Sequence, residues 1–433
     1  MGMRRTLSAL TVLLVFAVVA TACGDDGGGG DEDVAVANAV PVADRSRPSP
    51  DDDPALVADP MDTFGADLFT QMAASADGDE NVVVSPASVM MALAMVEPGA
   101  VDQGQAQLRE LLGIEDPDAF HAALNALDQS LESREPTDPG DGEPGDLLVR
   151  LANAAYLQEG YPFEEDFLDT IGRYYGPVLS EVDYTEDPDA VARQINDWVA
   201  DNTEDRITDL IPEGTLTSDV VLTLVNALYL NASWFEPFEE GDTEDGPFTL
   251  TGGDEVTVPL MHGFSSGSAE GDGWVGASKD LTGGLAVQFV LPDDGRFDEV
   301  ATDLPEVFRA VDEGPIGAEL VLPRLETRFG ASLADALKGL GLTAPFDDGE
   351  PGQLLGIADD PRLAISEVVH QTFVAMDEGG IEAAAATAVV FTATGAPIGD
   401  PVPVILDRPF FFRIVDQETG ATLFLGRIMD PTA

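Results

Sequence analysis

An α+β fold is predicted, on three observations. Helical patterns fill the first half of the chain, β-rich runs fill the second, and no regular strand–helix alternation of the doubly wound kind links them. Helices are expected at Met61 to Ser75, Gln105 to Leu112, Phe120 to Leu131, Phe163 to Tyr175 and Asp189 to Asn202. Ser85-Pro86, an N-cap with a proline in the first turn, predicts a buried helix over Ala87 to Val96. Strands are expected at Val220 to Leu230, Leu285 to Leu291, Glu319 to Thr327, Leu363 to Met376, Val402 to Val415 and Thr422 to Arg427, all rich in β-branched and apolar residues.

The chain has 433 residues, with 20 Lys and Arg against 81 Asp and Glu, a net charge of −61. Binding to nucleic acid, to a polyanion cofactor or to an anionic lipid surface needs clustered cations, so these partners are not expected. At 44% hydrophobic residues the chain can build a large core, which places the carboxylates on its surface. No dinucleotide or phosphate loop occurs, and no cofactor is expected.

Arg4 and Arg5 precede a continuous apolar run from Leu7 to Ala22, short for a membrane span and patterned as an export leader. It ends at Ala20-Thr21-Ala22-Cys23, small residues before the only cysteine of the chain. This resembles a bacterial lipobox, with residues 1–22 removed and Cys23 acylated; ordinary cleavage after Ala-Thr-Ala, giving a free secreted chain, is the alternative. The arginine pair also leaves twin-arginine export open. Residues 23–60 are glycine-rich, acidic and proline-containing and read as a tether. Four arginines and ten acids in residues 1–60 leave −55 on residues 61–433, which read as one domain, expected to be a monomer.

Three patterns invite an enzymatic reading. Gly263-Phe264-Ser265-Ser266-Gly267 fits a nucleophile elbow, but that motif needs a helix after its serine, and Ser268 to Gly273 is glycine-rich and acidic. Ser85 and His370 could pair as nucleophile and base, yet Ser85 reads as a helix cap and His370 lies in a β-rich run. His121, His262 and His370 are far apart and lack ligand-spaced partners, so no metal site is expected.

The segment Asp377 to Asp400, DEGGIEAAAATAVVFTATGAPIGD, differs in kind. At period two, Ile381, Ala383, Ala385, Thr387, Val389 and Phe391 share one almost wholly apolar face. Glycines and Pro397, Pro401 and Pro403 bound it, as they would an exposed loop. A loop that is also a competent buried strand is a candidate conformational switch.

Here the sequence resembles the serpin family of protease inhibitors over residues 61–433. Asn81 to Ala100, NVVVSPASVMMALAMVEPGA, is similar to the family's first strand and buried helix; Leu224 to Phe238, LVNALYLNASWFEPF, to a central-sheet strand with its tryptophan. Val369 to Thr387, VHQTFVAMDEGGIEAAAAT, resembles the strand and hinge leading into the reactive loop, and Arg408 to Pro431 the C-terminal strand pair. The resemblance implies three β-sheets with about eight to nine helices and an exposed reactive-centre loop. It implies an irreversible suicide substrate of serine or cysteine endopeptidases: no enzyme, but a loop that is cleaved and then inserts into the central sheet with the protease attached. Serpin loop insertion is itself a standard example of strand addition.

By that resemblance the hinge is Gly380, Ile381, Glu382, Ala383, Ala384, Ala385, Ala386 and Thr387. Ser85, Ser88, Asn226 and His370 form the polar cluster beneath the opening sheet, Trp234 marks the point of first insertion, and the scissile bond is Thr394-Gly395. No Lys or Arg lies between Gln371 and Leu406, so elastase-like or subtilisin-like proteases are the expected partners, rather than enzymes whose pocket pairs a cation. Cleavage after Phe391 by a chymotrypsin-like enzyme is the runner-up. Ile381 departs from the small residue usual at the first inserting position, and its bulk predicts slow entry. A non-inhibitory binding or structural module of the same fold is the alternative function.

Overall fold

The computed structural model describes residues 10–19, 43–137, 145–314, 317–346, 349, 351–381 and 402–433. The chain opens with strand β1 (Leu10–Val19), then α1 (Ala58–Ser75), β2 (Val82–Val84) and α2 (Pro86–Val96). Next come α3 (Asp102–Leu112), α4 (Pro117–Glu132), β3 (Leu147–Gln158), α5 (Glu165–Tyr175), β4 (Val178–Val182) and α6 (Pro188–Asn202). A β-rich stretch follows: β5 (Val220–Ser233), β6 (Glu244–Thr249), β7 (Glu255–Phe264), β8 (Gly267–Gly271), β9 (Trp274–Asp280) and β10 (Leu285–Pro292). Then run α7 (Phe297–Val300), α8 (Leu304–Asp312), β11 (Glu319–Pro323), β12 (Leu325–Ser332) and α9 (Ala334–Gly339). The chain closes with β13 (Leu363–Met376), β14 (Gly380–Ile381), β15 (Val404–Ile405), β16 (Phe410–Asp416) and β17 (Thr422–Ile428).

The strands form three sheets, which makes the molecule α+β as its sequence predicts. The large sheet holds β12, β13, β1, β14, β5, β3 and β4; a six-stranded sheet runs β2-β17-β16-β10-β9-β8, and a four-stranded one β15-β11-β7-β6. Helix α2 lies in the main core. Ser85 caps it, its hydroxyl accepting from Ser88 N at 3.2 Å, and every residue of the helix is buried, as its unbroken apolar sequence requires. On its other face the large sheet meets α6, whose Val191, Ile195 and Val199 pack with Tyr156, Tyr229 and Phe373 in a second core. Asp116-Pro117 and Asp187-Pro188 start α4 and α6 by the same device as Ser85-Pro86.

Two of the expected strands are each two strands in different sheets. The run Glu319 to Thr327 breaks at Arg324, so that β11 joins the four-stranded sheet and β12 the large one. Val402 to Val415 divides around Arg408-Pro409 into β15 and β16, because proline has no N–H for a ladder.

The N-terminal part holds two surprises for a leader and a tether. Leu10–Val19 lies within the large sheet, parallel to both neighbours, Leu14 opposite Val368 of β13 and Leu224 of β5. Residues 45–46 lie against α4 and α5. Arg45 Nε donates to Asn125 Oδ1 at 2.9 Å and its Nη2 pairs with Asp128, while the Ser46 carbonyl accepts from Asn125 and Gln129 at 2.9 Å each. Burial raises the Asp128 carboxyl to about 7 against the lowering pull of Arg45.

Candidate functional site

The polar residues under the large sheet form one buried chain of hydrogen bonds. At the N-cap of α2, Ser85 N donates to His370 Nε2 on β13 at 3.2 Å, and its Oγ accepts from Ser88 N. Ser88 Oγ donates to Asn226 Oδ1 on β5 at 2.5 Å, and Asn226 Nδ2 donates to Asn153 Oδ1 on β3 at 2.8 Å. The structure thus brings together Ser85, Ser88, Asn226 and His370, all fully buried, and adds Asn153. The chain crosses from β13 to β5, the two strands between which β1 lies. A buried network of this kind is stable only while every member keeps its partners, so it fixes how the two strands sit over α2. Burial lowers the His370 imidazole to about 3, keeping it a neutral acceptor at physiological pH.

A second group anchors the segment after β13. Trp234, past the end of β5, donates from its backbone N to Gly379 O and from Nε1 to Asp377 O, both at 2.8 Å. Phe238 N donates to Glu378 O at 3.0 Å. The Glu378 carboxylate accepts from Arg324 Nη2 through both oxygens, at 2.6 and 2.7 Å, and from Thr243 Oγ1 at 2.7 Å. Burial acts to raise that carboxyl, but these hydrogen bonds hold it below its ordinary range. Behind Trp234, Lys279 Nζ lies 4.4 Å from the Phe238 ring centroid and donates to Phe264 O at 3.0 Å. Burial depresses its pKa to about 8.

From this anchor the chain turns into the sheet. Asp377 Oδ1 accepts from Gly379 N at 2.8 Å, and Gly380 enters so tightly that a Cβ there would sit 2.3 Å from Ala232 O. Ile381 pairs with Met376 on one side and Ala232 on the other, antiparallel to both strands and fully buried. Glu382, Ala383, Ala384, Ala385, Ala386 and Thr387 of the hinge, the bond Thr394-Gly395, and Cys23 lie outside the described residues.

The enzymatic patterns find no support. Ser265 is 5% exposed, its Oγ donates to Ala318 O at 3.3 Å, and strand β8 follows it where an elbow needs a helix. Ser85 and His370 meet through the serine's backbone N–H and are closed to solvent. His121 is buried against Glu97 and Tyr175, His262 lies on the exposed side of β7, and no metal-holding group of side chains occurs among the described residues.

Sequence reasoning missed Asn153, Glu378, Arg324 and Lys279. Asn153, like Asn226, is an amide in a mostly apolar run. Lys279, one of only two lysines in the chain, has no local signal beyond its charge. Arg324 and Glu378 are 54 residues apart and had no local signal.

Residues 59–431 match the family model described as Serpin (serine protease inhibitor). A serpin-like protein of Thermococcus kodakarensis is 32% identical over 385 residues, 87% of this chain and 86% of that one. Human neuroserpin is 28% identical, with 85% of this chain and 90% of its own covered. Among solved structures, the thermophilic serpin tengpin in its native state superposes with a TM-score of 0.74 at 26% identity, covering 91% of this chain and 97% of tengpin. Glycosylated human kallistatin gives 0.73 at 26% identity, covering 87% and 99%. Human thyroxine-binding globulin, whose structure holds thyroxine, shares the fold with a TM-score of 0.75 at 22% identity, covering 88% and 100%.

Proposed function

This chain belongs to the serpin family, and we propose that it is an irreversible suicide inhibitor of endopeptidases that cut after small residues. The observation that carries the reading is the placement of Gly380–Ile381 between β5 and β13 at the end where the loop departs. Gly380–Ile381 run antiparallel to both neighbours, the direction that an inserting loop would continue. Strands β5 and β13 run the same way, since β1 is parallel to each. Closed on one another they would make one parallel ladder; with the loop between them they make two antiparallel ladders, the more stable pairing. That difference, with burial of the apolar loop face, is the driving force for insertion.

Lengths agree. The thirteen residues from Glu382 to Thr394 span about 44 Å at ~3.4 Å per residue, comparable with the fourteen residues of β5 and of β13. In the proposed cycle the protease serine Oγ attacks the Thr394 carbonyl, and the Gly395 amine leaves with the proton relayed by the protease histidine. The new ester holds enzyme to loop, and insertion as far as Thr394 carries the enzyme along the length of the sheet before water can cleave it. The absence of Lys and Arg between Gln371 and Leu406 selects elastase-like or subtilisin-like serine enzymes. Export follows from residues 1–22, with Cys23 as lipid anchor at the cell surface.

The test is to mix the chain lacking its leader with an elastase-like and a subtilisin-like protease. An SDS-stable complex at the summed mass, with a released peptide beginning near Gly395, is the expected result. Clean cleavage without complex across a broad protease panel overturns the inhibitory reading and leaves a non-inhibitory module of the same fold.

A further inference from the structure

On the face of the large sheet that α6 covers, a cavity of about 320 Å³ opens where the chain leaves β13 for the hinge. Strand parity sets its floor. Phe373 and Ala375 lie two residues apart on β13 and pack toward α6, and the residues opposite them on β12 are Arg328 and Glu326. The Arg328 guanidinium lies over the Phe373 ring, 4.3 Å from its centroid, and its Nη1 donates to Arg206 O at 2.7 Å, which holds the turn after α6 above the same ring. Arg206 forms one wall, its guanidinium 5.7 Å from that centroid. Arg324 forms another, where β11 gives way to β12. Its backbone N donates to Pro259 O at 2.9 Å, and its Nη2 alone bonds both oxygens of Glu378.

The polar groups around this space differ in what they have left to offer. Of the two carboxylates that line it, Asp377 turns Oδ1 to the N–H groups of Gly379 and Gly380, at 2.8 and 3.3 Å, and Glu326 stands mostly in solvent, 3.9 Å from Arg328. Arg324 Nε and Nη1 make no hydrogen bond among the described residues, while Glu378 keeps the guanidinium in place. A guanidinium ordered in advance beside an apolar floor suits an anion that carries a hydrophobic body. We propose that this cavity binds a small organic carboxylate, its charge on Arg324 and Arg206 and its aromatic or aliphatic body on Phe373 and Ala375. The volume falls at the lower end of the roughly 300–1,000 Å³ typical of small-molecule sites. The net charge of −61 does not repel such a ligand from afar, because exposed charges beyond about 8 Å are screened at physiological salt. Arg324 and Asp377 both belong to the anchor of the hinge, so an occupied cavity braces the turn that feeds Gly380–Ile381 into the sheet. The site stands whether or not the loop traps a protease.

The experiment titrates the whole chain with 3-phenylpropionate in about 0.15 M salt, beside the neutral 3-phenylpropionamide and inorganic phosphate, and reads binding by calorimetry and by melting temperature. One equivalent of the acid is expected to bind, with a melting temperature that rises with its concentration, and the amide to bind about 10-fold more weakly or worse. Ala375→Leu fills the floor and leaves Arg324 with Glu378; Arg206→Gln removes a cation that lies outside the anchor. Each is expected to weaken the acid about 10-fold, and if Ala375→Leu fails to fold, Arg206→Gln decides alone. Saturation with the acid slows hydrogen exchange at Gly379 to Ile381. No binding at millimolar acid, equal binding of acid and amide, phosphate as tight as the acid, or unchanged affinity in the folded variants overturns the site. Binding that leaves exchange at Gly379 to Ile381 unchanged overturns its link to the hinge.

Discussion

Ile381 is fully buried between Met376 and Ala232 before any protease arrives. A contact made both before and after loop insertion cancels from the driving force, so the bulk that predicts slow entry from sequence has already been accommodated. Ile381→Thr is therefore expected to lower the melting temperature, by roughly 1–3 kcal/mol of stability for the lost burial and the added hydroxyl, and to leave the fraction of trapped protease unchanged. Faster trapping by the variant would show that entry of this residue limits the rate. His370 carries a pH prediction. Unfolded, the imidazole gains a proton near pH 6.5; folded, burial holds it neutral to about 3. Between these values the unfolded state binds the extra proton, so stability falls as pH falls, by about 1.4 kcal/mol per unit once well below 6.5. His370→Gln keeps an acceptor for Ser85 N and loses that slope. Denaturant titrations of both proteins at pH 7 and pH 5 measure it, and parallel curves would mean that His370 is not buried neutral.

The hinge anchor is a property of elements, because it ties the turn after β13 to β12, to the end of β5 and to the turn before β6. Glu378 and Arg324 are coupled through two hydrogen bonds, with the carboxylate buried and the guanidinium half exposed. Such a pair lies between the surface and buried limits, so Glu378→Gln is expected to cost about 1–2 kcal/mol and to speed hydrogen exchange at Gly379 to Ile381. Arg324→Gln should cost about the same, and the double variant little more; additive losses would show that the two side chains act independently. Elements with local signals were legible in the sequence. Helices α2, α4 and α6 each begin with a capping Ser or Asp followed by proline, and β13 was found with both ends in place. Strands β6 to β9 were not found: β6 and β8 are short and rich in glycine and acids, and the apolar residues of β7 and β9 are interrupted by Thr257 and Pro259 and by Gly276, Ser278 and Lys279. Strand β3 was missed because Arg150, Asn153 and its alanines hide its period. Changes of sheet at Arg324 and at Arg408-Pro409 are tertiary events, invisible to composition. Ser85, Ser88, Asn226 and His370 were reached through the family resemblance, whereas Glu378 finds its partner only through the fold.

Across the whole molecule, the proposed insertion of the loop needs the place that the N-terminal strand holds. Residues Leu10–Val19 pair along β5 and β13 in parallel, from Val12 beside Leu222 to Val18 beside Leu228. The loop, continuing from Ile381, would enter the same gap from the opposite end and in the opposite direction. A gap one strand wide cannot hold both. With the N-terminal strand in place, a cut loop has no sheet to join, and the acyl ester hydrolyses at leisure. The full chain of 433 residues is therefore expected to be cleaved as a plain substrate, with no SDS-stable complex and no rise in melting temperature after cleavage. A chain beginning at residue 23 frees the gap, traps the enzyme, and gains stability on cleavage as one parallel ladder becomes two antiparallel ones. Comparing the two lengths against one protease, with melting curves before and after the cut, separates an effect on the sheet from an effect on loop access: both chains must be cut at the same rate while only the shorter one traps. Equal trapping by both would mean that the N-terminal strand leaves the sheet as readily as the loop enters it.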